Sequence, residues 1–418
     1  MSARSLPVAL GIIFYLADTS GIGCCSDSIT INGFLQENVS VNTKEQNPGG
    51  ADFKLSEERL QLKVEGYSHS FSLFLKNDLY YDNIENKVDL DFRENYINYT
   101  ADSFNIRLGR QIITWGLGDQ VFINDIFPKN YEAFYAGKPI EYLKNGIDAL
   151  KIGIYPGLVS FDVVVMPFFR ADKFPGSTRF WMYDPMPGIT DRNKEEPATS
   201  LKNTEIAIRG YKNIDGLDTS IYFYRGFYKQ PSMLPDNPIT PKTITLFYPE
   251  LNVYGMSLQG RTLGGILSFE TGYYDSVQDR EGSNSTIPNP SMKYLLGYQK
   301  QMWEDFTLGL QYYGEYMCKY SNYRSNLPQG FNEEKEVNHL VSLRLTQLLK
   351  YQTLKLSFFM FWSPAYDDYL LNPEVKYNFT DNIWGAIGAQ VFGGNKQWSQ
   401  FGQLSKDNNI YVQLRYEF

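Results

Sequence analysis

Histidine is almost missing from this chain and cysteine is scarce, with two and three residues in 418. Two histidines leave little room for imidazole acid–base chemistry. Three cysteines cannot build a disulfide scaffold. Cys24 and Cys25 fall beside a removable leader, which leaves Cys318. Long apolar runs are missing too. The longest nearly uncharged one covers residues 6–17, whereas a membrane-spanning helix needs about 20 residues. A positive charge excess is also absent. The net charge is -8, which argues against nucleic acid as a partner. The sequence has no metal-ligating cluster, phosphate loop or nucleophile elbow. His69 falls in a turn, and His339 and Ser342 face opposite sides of one strand. No enzyme activity, metal or cofactor is expected.

Aromatic residues are what the chain has in plenty. They make up 16% of it, with 32 tyrosines, yet mean hydropathy is -0.37 and 21% of residues are charged. Such a chain is too apolar to stay unfolded. Near the start, Arg4 precedes the apolar run 6–17, and Ser20, Gly21 and Gly23 follow. That is the layout of a secretory signal peptide. Residues 1–26 are therefore expected to be a leader, cleaved between Ala17 and Ser26, and 27–418 a single domain.

Period-2 alternation runs through that domain, and helical periodicity is hard to find. Phe104, Ile106 and Leu108 alternate with Asn105, Arg107 and Gly109; Val341, Leu343 and Leu345 alternate with Ser342, Arg344 and Thr346. Eighteen strands can be placed between 28–42 and 409–418, with 16 as the alternative count. Their connections alternate in length. The even-numbered gaps are tight turns, as at 101–102 and 213–217. Most odd-numbered gaps are long, as at 115–144, 170–202 and 229–247. A soluble sandwich has no reason to keep that parity, whereas an outer-membrane barrel does. The predicted fold is therefore an all-β, transmembrane antiparallel β-barrel. Proline supports it by avoiding strand interiors. Only Pro167, Pro249 and Pro373 fall inside the proposed strands, out of 20. The last strand puts Ile410, Val412, Leu414, Tyr416 and Phe418 on one face. It resembles the C-terminal strand of Gram-negative outer-membrane proteins, where the terminal aromatic is read by the barrel assembly machinery. Tyr416 and Phe418 are the candidate assembly signal.

The polar faces carry the candidate selectivity residues, since charge lining a narrow lumen tunes ion passage. The basic ones are Arg59, Lys63, Arg107, Lys151, Arg209, Arg344, Lys376 and Arg415, set against Glu57, Glu65, Glu205, Glu315, Glu374 and Glu417. The alternative is a wall of mutually paired charges. Arg110 shares parity with Leu108, so strict alternation aims it at lipid; either a bulge at Gly109 re-aims it or it lies above the membrane. The connection 115–144 carries Trp115, Phe127 and Tyr131 beside Asp119 and Asp125. It is too apolar for a solvated loop and is expected to fold into the barrel mouth as a constriction. The connection 170–202, broken by prolines and glycines, reads as a mobile lid.

Residues 105–131, NIRLGRQIITWGLGDQVFINDIFPKNY, are similar to the R-x-G-R-Q strand and following loop of alginate-export-type porins and of a related family of bacterial outer-membrane proteins. Residues 363–394, SPAYDDYLLNPEVKYNFTDNIWGAIGAQVFGG, resemble that family's closing strands, and RENYINY at 93–99 is a third similar patch. The resemblance implies a monomeric 18-stranded barrel in the bacterial outer membrane, acting as a selective pore for polar solutes. It also implies a lumen role for Arg110. Expected partners are the solute, the membrane lipid with its lipopolysaccharide, and the assembly machinery. Alginate export itself would need a strongly basic lumen, which this chain lacks. The alternatives are a transporter of hydrophobic compounds or a surface adhesin or receptor.

Overall fold

The computed structural model describes residues 28–43, 52–238 and 240–418. The expected leader, residues 1–26, lies outside them. In chain order the strands begin with β1 (Ser28–Asn42), β2 (Phe53–Ser68), β3 (Phe71–Asp82), β4 (Lys87–Thr100), β5 (Phe104–Gln111), β6 (Ile147–Ile154) and β7 (Ser160–Met166). Next come β8 (Asp191–Lys194), β9 (Glu205–Ile214), β10 (Leu217–Phe227), β11 (Ser232–Pro235), β12 (Thr243–Phe247), β13 (Glu250–Thr262) and β14 (Gly265–Ser276). The last are β15 (Ser291–Trp303), β16 (Phe306–Met317), β17 (Val337–Leu349), β18 (Leu354–Ser363), β19 (Asp368–Asn378), β20 (Ile383–Gly394) and β21 (Asn409–Glu417). Eighteen of these form one antiparallel sheet, while β8, β11 and β12 form a separate three-stranded one. The count of 18 replaces the alternative of 16.

Each barrel strand pairs with its neighbour in sequence, and β1 pairs with β21, so the sheet closes. Closure removes the unpaired edge that hydrocarbon cannot tolerate. At the seam, Gly33 and Phe418 exchange two backbone hydrogen bonds of 2.9 Å. Only glycine fits there, because a Cβ on Gly33 would lie 2.3 Å from the Gln61 carbonyl and 2.8 Å from the Phe418 ring.

The alternation resolves into an inside and an outside. On β21, Ile410, Val412, Leu414 and Tyr416 are exposed, while Asn409, Tyr411, Gln413 and Arg415 are buried. This polarity is the reverse of a soluble sandwich, with apolar residues outside and polar ones within. It places the barrel in the bacterial outer membrane. At one end the turns hold two to five residues. His69, Asp215 and Asp305 take positive φ there, as tight hairpins require. The other end carries the long connections, with short exceptions at 83–86 and 364–367.

Two proline placements need correction. Pro167 and Pro249 lie just outside β7 and β13, which leaves Pro373 as the one proline inside a barrel strand. Around it Asn372 and Pro373 form no ladder pair with β20, and the Asn372 side chain donates to Ala389 O at 2.9 Å instead. Arg93 is an extra residue on β4: Lys76 pairs with Glu94 and Asn77 with Phe92. That bulge turns the Arg93 side chain inward, where it is buried.

The seam yields a prediction. Phe418→Asp puts a charge on the lipid-facing row of the closing strand, so the variant should fail to insert. Normal heat-modifiable migration on gels would contradict this.

Candidate functional site

The connection between β5 and β6, residues 112–146, folds into the lumen and crosses it. Its first half is held by the β10–β17 wall. Glu270 on β14 accepts from Leu117 N (2.6 Å), Asn124 N (2.8 Å) and Asn124 Nδ2 (3.0 Å). Tyr274 OH donates to Ile123 O at 2.6 Å. Asp119 takes a bidentate grip from Arg344 on β17, with Nη2–Oδ1 at 2.9 Å. Trp115 packs edge-on against Phe127 at 5.2 Å and beside Tyr222 of β10. The second half reaches the opposite wall. Asn130 caps the helical turn Tyr131–Tyr135 by accepting from Ala133 N at 3.0 Å. Gln390, Asn409 and Gln413 then donate to the carbonyls of Phe134, Tyr135 and Gly137. The loop's backbone groups are thus satisfied by side chains of the wall, as burial demands. Trp115, Asp119, Asp125, Phe127 and Tyr131 all belong to this inward-running connection.

Charge inside this loop is caged. Lys129 is buried with its ammonium 2.9 Å from Asp125, which Lys144 also contacts at 2.8 Å. Burial pushes Lys129 below the usual lysine value, and Asp125 opposes that. Burial also disfavours the Glu141 charge, yet Arg415, Lys76 and Arg93 hold it below the usual carboxylate range. The connection 167–204 is not the mobile lid expected. Phe180 is fully buried against Tyr135. The Lys54 ammonium joins Arg179 O and Asp407, each at 2.5 Å. Farther on, β8 pairs in parallel with β12, which ties this connection to 228–249.

The candidate selectivity residues separate into three groups. Arg59 and Arg415 face inward but are covered by the loop. Arg59 is gripped by Glu57 and Asp78, and Arg415 by Glu141 and Gln36. Lys63, Lys151 and Arg344 also have carboxylate partners, namely Glu65, Asp162 and Asp119. Arg107, Arg209 and Lys376 form the third group. Among the described residues, none has a carboxylate within 4.0 Å. Arg107 lies over Tyr96 at 4.3 Å, Arg209 over Tyr211 at 4.5 Å, and Lys376 over Trp384 at 3.7 Å. Arg107 and Lys151 are direct cross-strand partners, as are Asp162 and Arg209; Lys151 faces Val164 on β7 and reaches Asp162 diagonally at 3.4 Å, so two neighbouring rows together carry three cations and one anion.

Arg110 requires a correction. The β5–β6 register runs without a shift through Arg107–Lys151, Leu108–Leu150 and Arg110–Asp148. Gly109 adopts φ of +127°, but no bulge re-aims the next side chain. Gln111 is buried on the lumen side, while Arg110 follows Leu108 to the outer wall and pairs with Asp148 at 2.7 Å.

Between the loops and the β13–β18 wall lie three adjoining cavities. A vestibule of about 1060 Å³ opens at the long-loop end, rimmed by Met186, Met233, Ile287, Met317 and Phe331. It shares Gln230, Ser232, Pro288 and Glu315 with a 400 Å³ cavity beneath, which Tyr131, Tyr274 and Lys293 also line. A 180 Å³ cavity continues from Gln230, Tyr131 and Lys293 toward Tyr313 and Leu340. Where these two cavities adjoin, Lys293 is 3.3 Å from Glu315 and 4.1 Å from the Tyr274 ring centroid. Lys293, Gln230 and Glu270 escaped the sequence reading. Lys293 was hidden because its lumen-facing neighbour Leu295 is apolar and breaks the alternation; it packs beneath Gly118 of the loop. Glu270 was legible, alternating with Phe269 and Thr271.

The barrel matches solved outer-membrane channels in fold. It is similar to OccD3 (OpdP) of Pseudomonas aeruginosa with a TM-score of 0.56 and 11% identity, covering 94% of this chain and 91% of that one. OccAB3 of Acinetobacter baumannii gives 0.56 at 10% identity, covering 94% and 99%. OccK10 (OpdN) of P. aeruginosa gives 0.53 at 10%, covering 93% and 99%. No family model matches the chain, and no curated protein does either. The alginate-export likeness therefore rests on the quoted residues alone.

Glu270→Ala tests what holds the loop. It leaves three N–H donors without their acceptor, at about 1–3 kcal/mol for each that stays buried. The variant should show higher and noisier single-channel conductance than the parent. Unchanged traces would mean that Arg344 and Tyr274 suffice to hold the loop.

Proposed function

We propose that the chain is a passive outer-membrane channel for small polar solutes, with a weak preference for anions. The observation that carries this reading is the third group of cations. Arg107, Arg209 and Lys376 face the lumen with aromatic rings beside them and no carboxylate in reach. Unpaired charge inside a narrow, low-dielectric wall sets the local potential, while paired charge largely cancels. The Lys293–Glu315 pair where the cavities adjoin is balanced, so the preference is weak. Each chain closes its own barrel, and one copy suffices for a channel. The methionine-rich rim of the vestibule supports entry of solutes with an apolar portion as well as a polar one.

Reversal potentials across planar bilayers under a salt gradient test the reading. The parent should favour anions at low salt. Arg107→Glu with Arg209→Glu should shift the potential toward cations, and the shift should shrink as the screening length falls from about 10 Å at 0.1 M to 3 Å at 1 M. Unchanged selectivity would sink the proposal. Absence of any conductance, with tight binding of a fatty acid, would favour the hydrophobe transporter.

Arg344→Glu should behave differently. It sets a carboxylate against Asp119 and frees the loop, so conductance should rise more than selectivity changes. A pure selectivity change without a conductance rise would show that Arg344 acts by its field rather than by its grip.

A further inference from the structure

The outer wall carries a charged cluster that the channel reading does not use. Asp148, near the start of β6, accepts from Arg110 Nε at 2.8 Å and Nη2 at 2.7 Å. The same carboxylate accepts from Arg170 Nη2 at 2.8 Å, just beyond β7. Two guanidiniums thus share one carboxylate, which leaves a net positive charge. All three side chains are partly exposed, at 22%, 30% and 39% for Arg110, Asp148 and Arg170. Donor capacity is left over. Arg110 Nη1 has only a 3.4 Å contact to Phe92 O; Arg170 Nε also lacks a partner but is buried. Beside the cluster, Asn95 donates to Asn77 at 2.7 Å on the same outer face and leaves its own Oδ1 unpartnered.

The surroundings are apolar. Leu108 is 63% exposed directly below, Phe168 is 49% exposed, and Ile154 and Phe161 continue the belt toward the short-turn end. The cluster lies at the long-loop end of three short strands, while on the adjoining β4 the outward apolar row goes on past it through Phe92, Leu90 and Val88. An arginine facing lipid costs about 2–4 kcal/mol at the bilayer midplane and about 0–1 near an interface. A ligand that fits both halves of this surface has acyl chains for the belt and an anionic group for the guanidiniums. Arginine forks match phosphate oxygens in paired hydrogen bonds.

The geometry points to a binding site for a phosphate-bearing lipid of the outer leaflet, held by Arg110 and Arg170 with Asp148 fixing their spacing. The site lies outside the lumen, so it is independent of the channel reading.

Native mass spectrometry of the detergent-solubilised barrel, titrated with lipid A, tests it. The parent should retain diphosphorylated lipid A. Arg110→Gln with Arg170→Gln should bind it about tenfold or more weakly, the loss expected for charge-assisted hydrogen bonds. Arg110→Lys with Arg170→Lys should fall between the two, because charge stays and the fork is lost. Dephosphorylated lipid A should bind parent and variants alike. Heat-modifiable migration and unchanged single-channel conductance show that the Gln variant is folded with its lumen intact; a variant that fails to fold passes the test to the Lys pair. Equal retention of lipid A by parent and variants overturns the proposal. Tight binding of inorganic phosphate alone would make the site a phosphate site without the lipid and would also overturn it. So would an oligomer lost in the Gln variant with no lipid retained by the parent, which would assign the cluster to the outward carboxylates Glu37 and Glu58 of a second copy.

Discussion

Backbone polar groups have no substitute partner in hydrocarbon, and this one constraint orders the rest of the molecule. It forces the sheet to close at β1 and β21, where Gly33 must approach Phe418 without a side chain in the way. Closure then divides every strand into a lipid row and a lumen row. The lipid row can be filled by almost any apolar residue. The lumen row encloses a volume that an 18-stranded barrel cannot fill with its own side chains. Chain must come in from the long-loop end to narrow it, and that chain brings backbone groups which need partners in turn.

The polar residues of the wall meet that need. Glu270, Tyr274, Gln390, Asn409 and Gln413 each bind main-chain groups of the inward loop. A side chain that looks like a pore lining in sequence is often a bracket for the loop. Arg59, Arg344 and Arg415 belong here: each reaches a carboxylate, of the wall or of the loop, that fixes it in place. The cost of burying these charges is met by geometry, since each pair also satisfies hydrogen bonds. Such pairs hold structure and add little net field.

Strand positions and loop parity were legible because a period of two is rigid and turn chemistry is local. The strands agree with the sequence reading to within a few residues even at β5 and β21. The inward course of 112–146 was legible from its apolar content, since Trp115, Ile123, Phe127 and Tyr135 could not all face water. Partner choice was not legible. Asp119 and Arg344 are 225 positions apart, as are many brackets of this kind, and no local pattern carries such a pairing. Lys293 was hidden for the same reason: Leu295 beside it is apolar because a distant loop covers it. For Arg110, strict alternation was the better guide. The family likeness suggested the lumen, but an unbroken register at Gly109 leaves parity intact.

The fate of each cation therefore depends on which row it occupies and on whether an acid of the wall or of a loop lies against it. Arg107 and Arg209 sit in the lumen row toward the short-turn end, away from the long inward loops, and so meet no acid from them. Their neighbours are tyrosines, which stabilise a cation through the ring face without cancelling its charge. An aromatic partner keeps an arginine ordered and still leaves its field open to the solute, which a carboxylate partner does not. Rings also lie beside the paired Arg59, Arg344 and Arg415, so what sets Arg107 and Arg209 apart is the missing acid and not the ring.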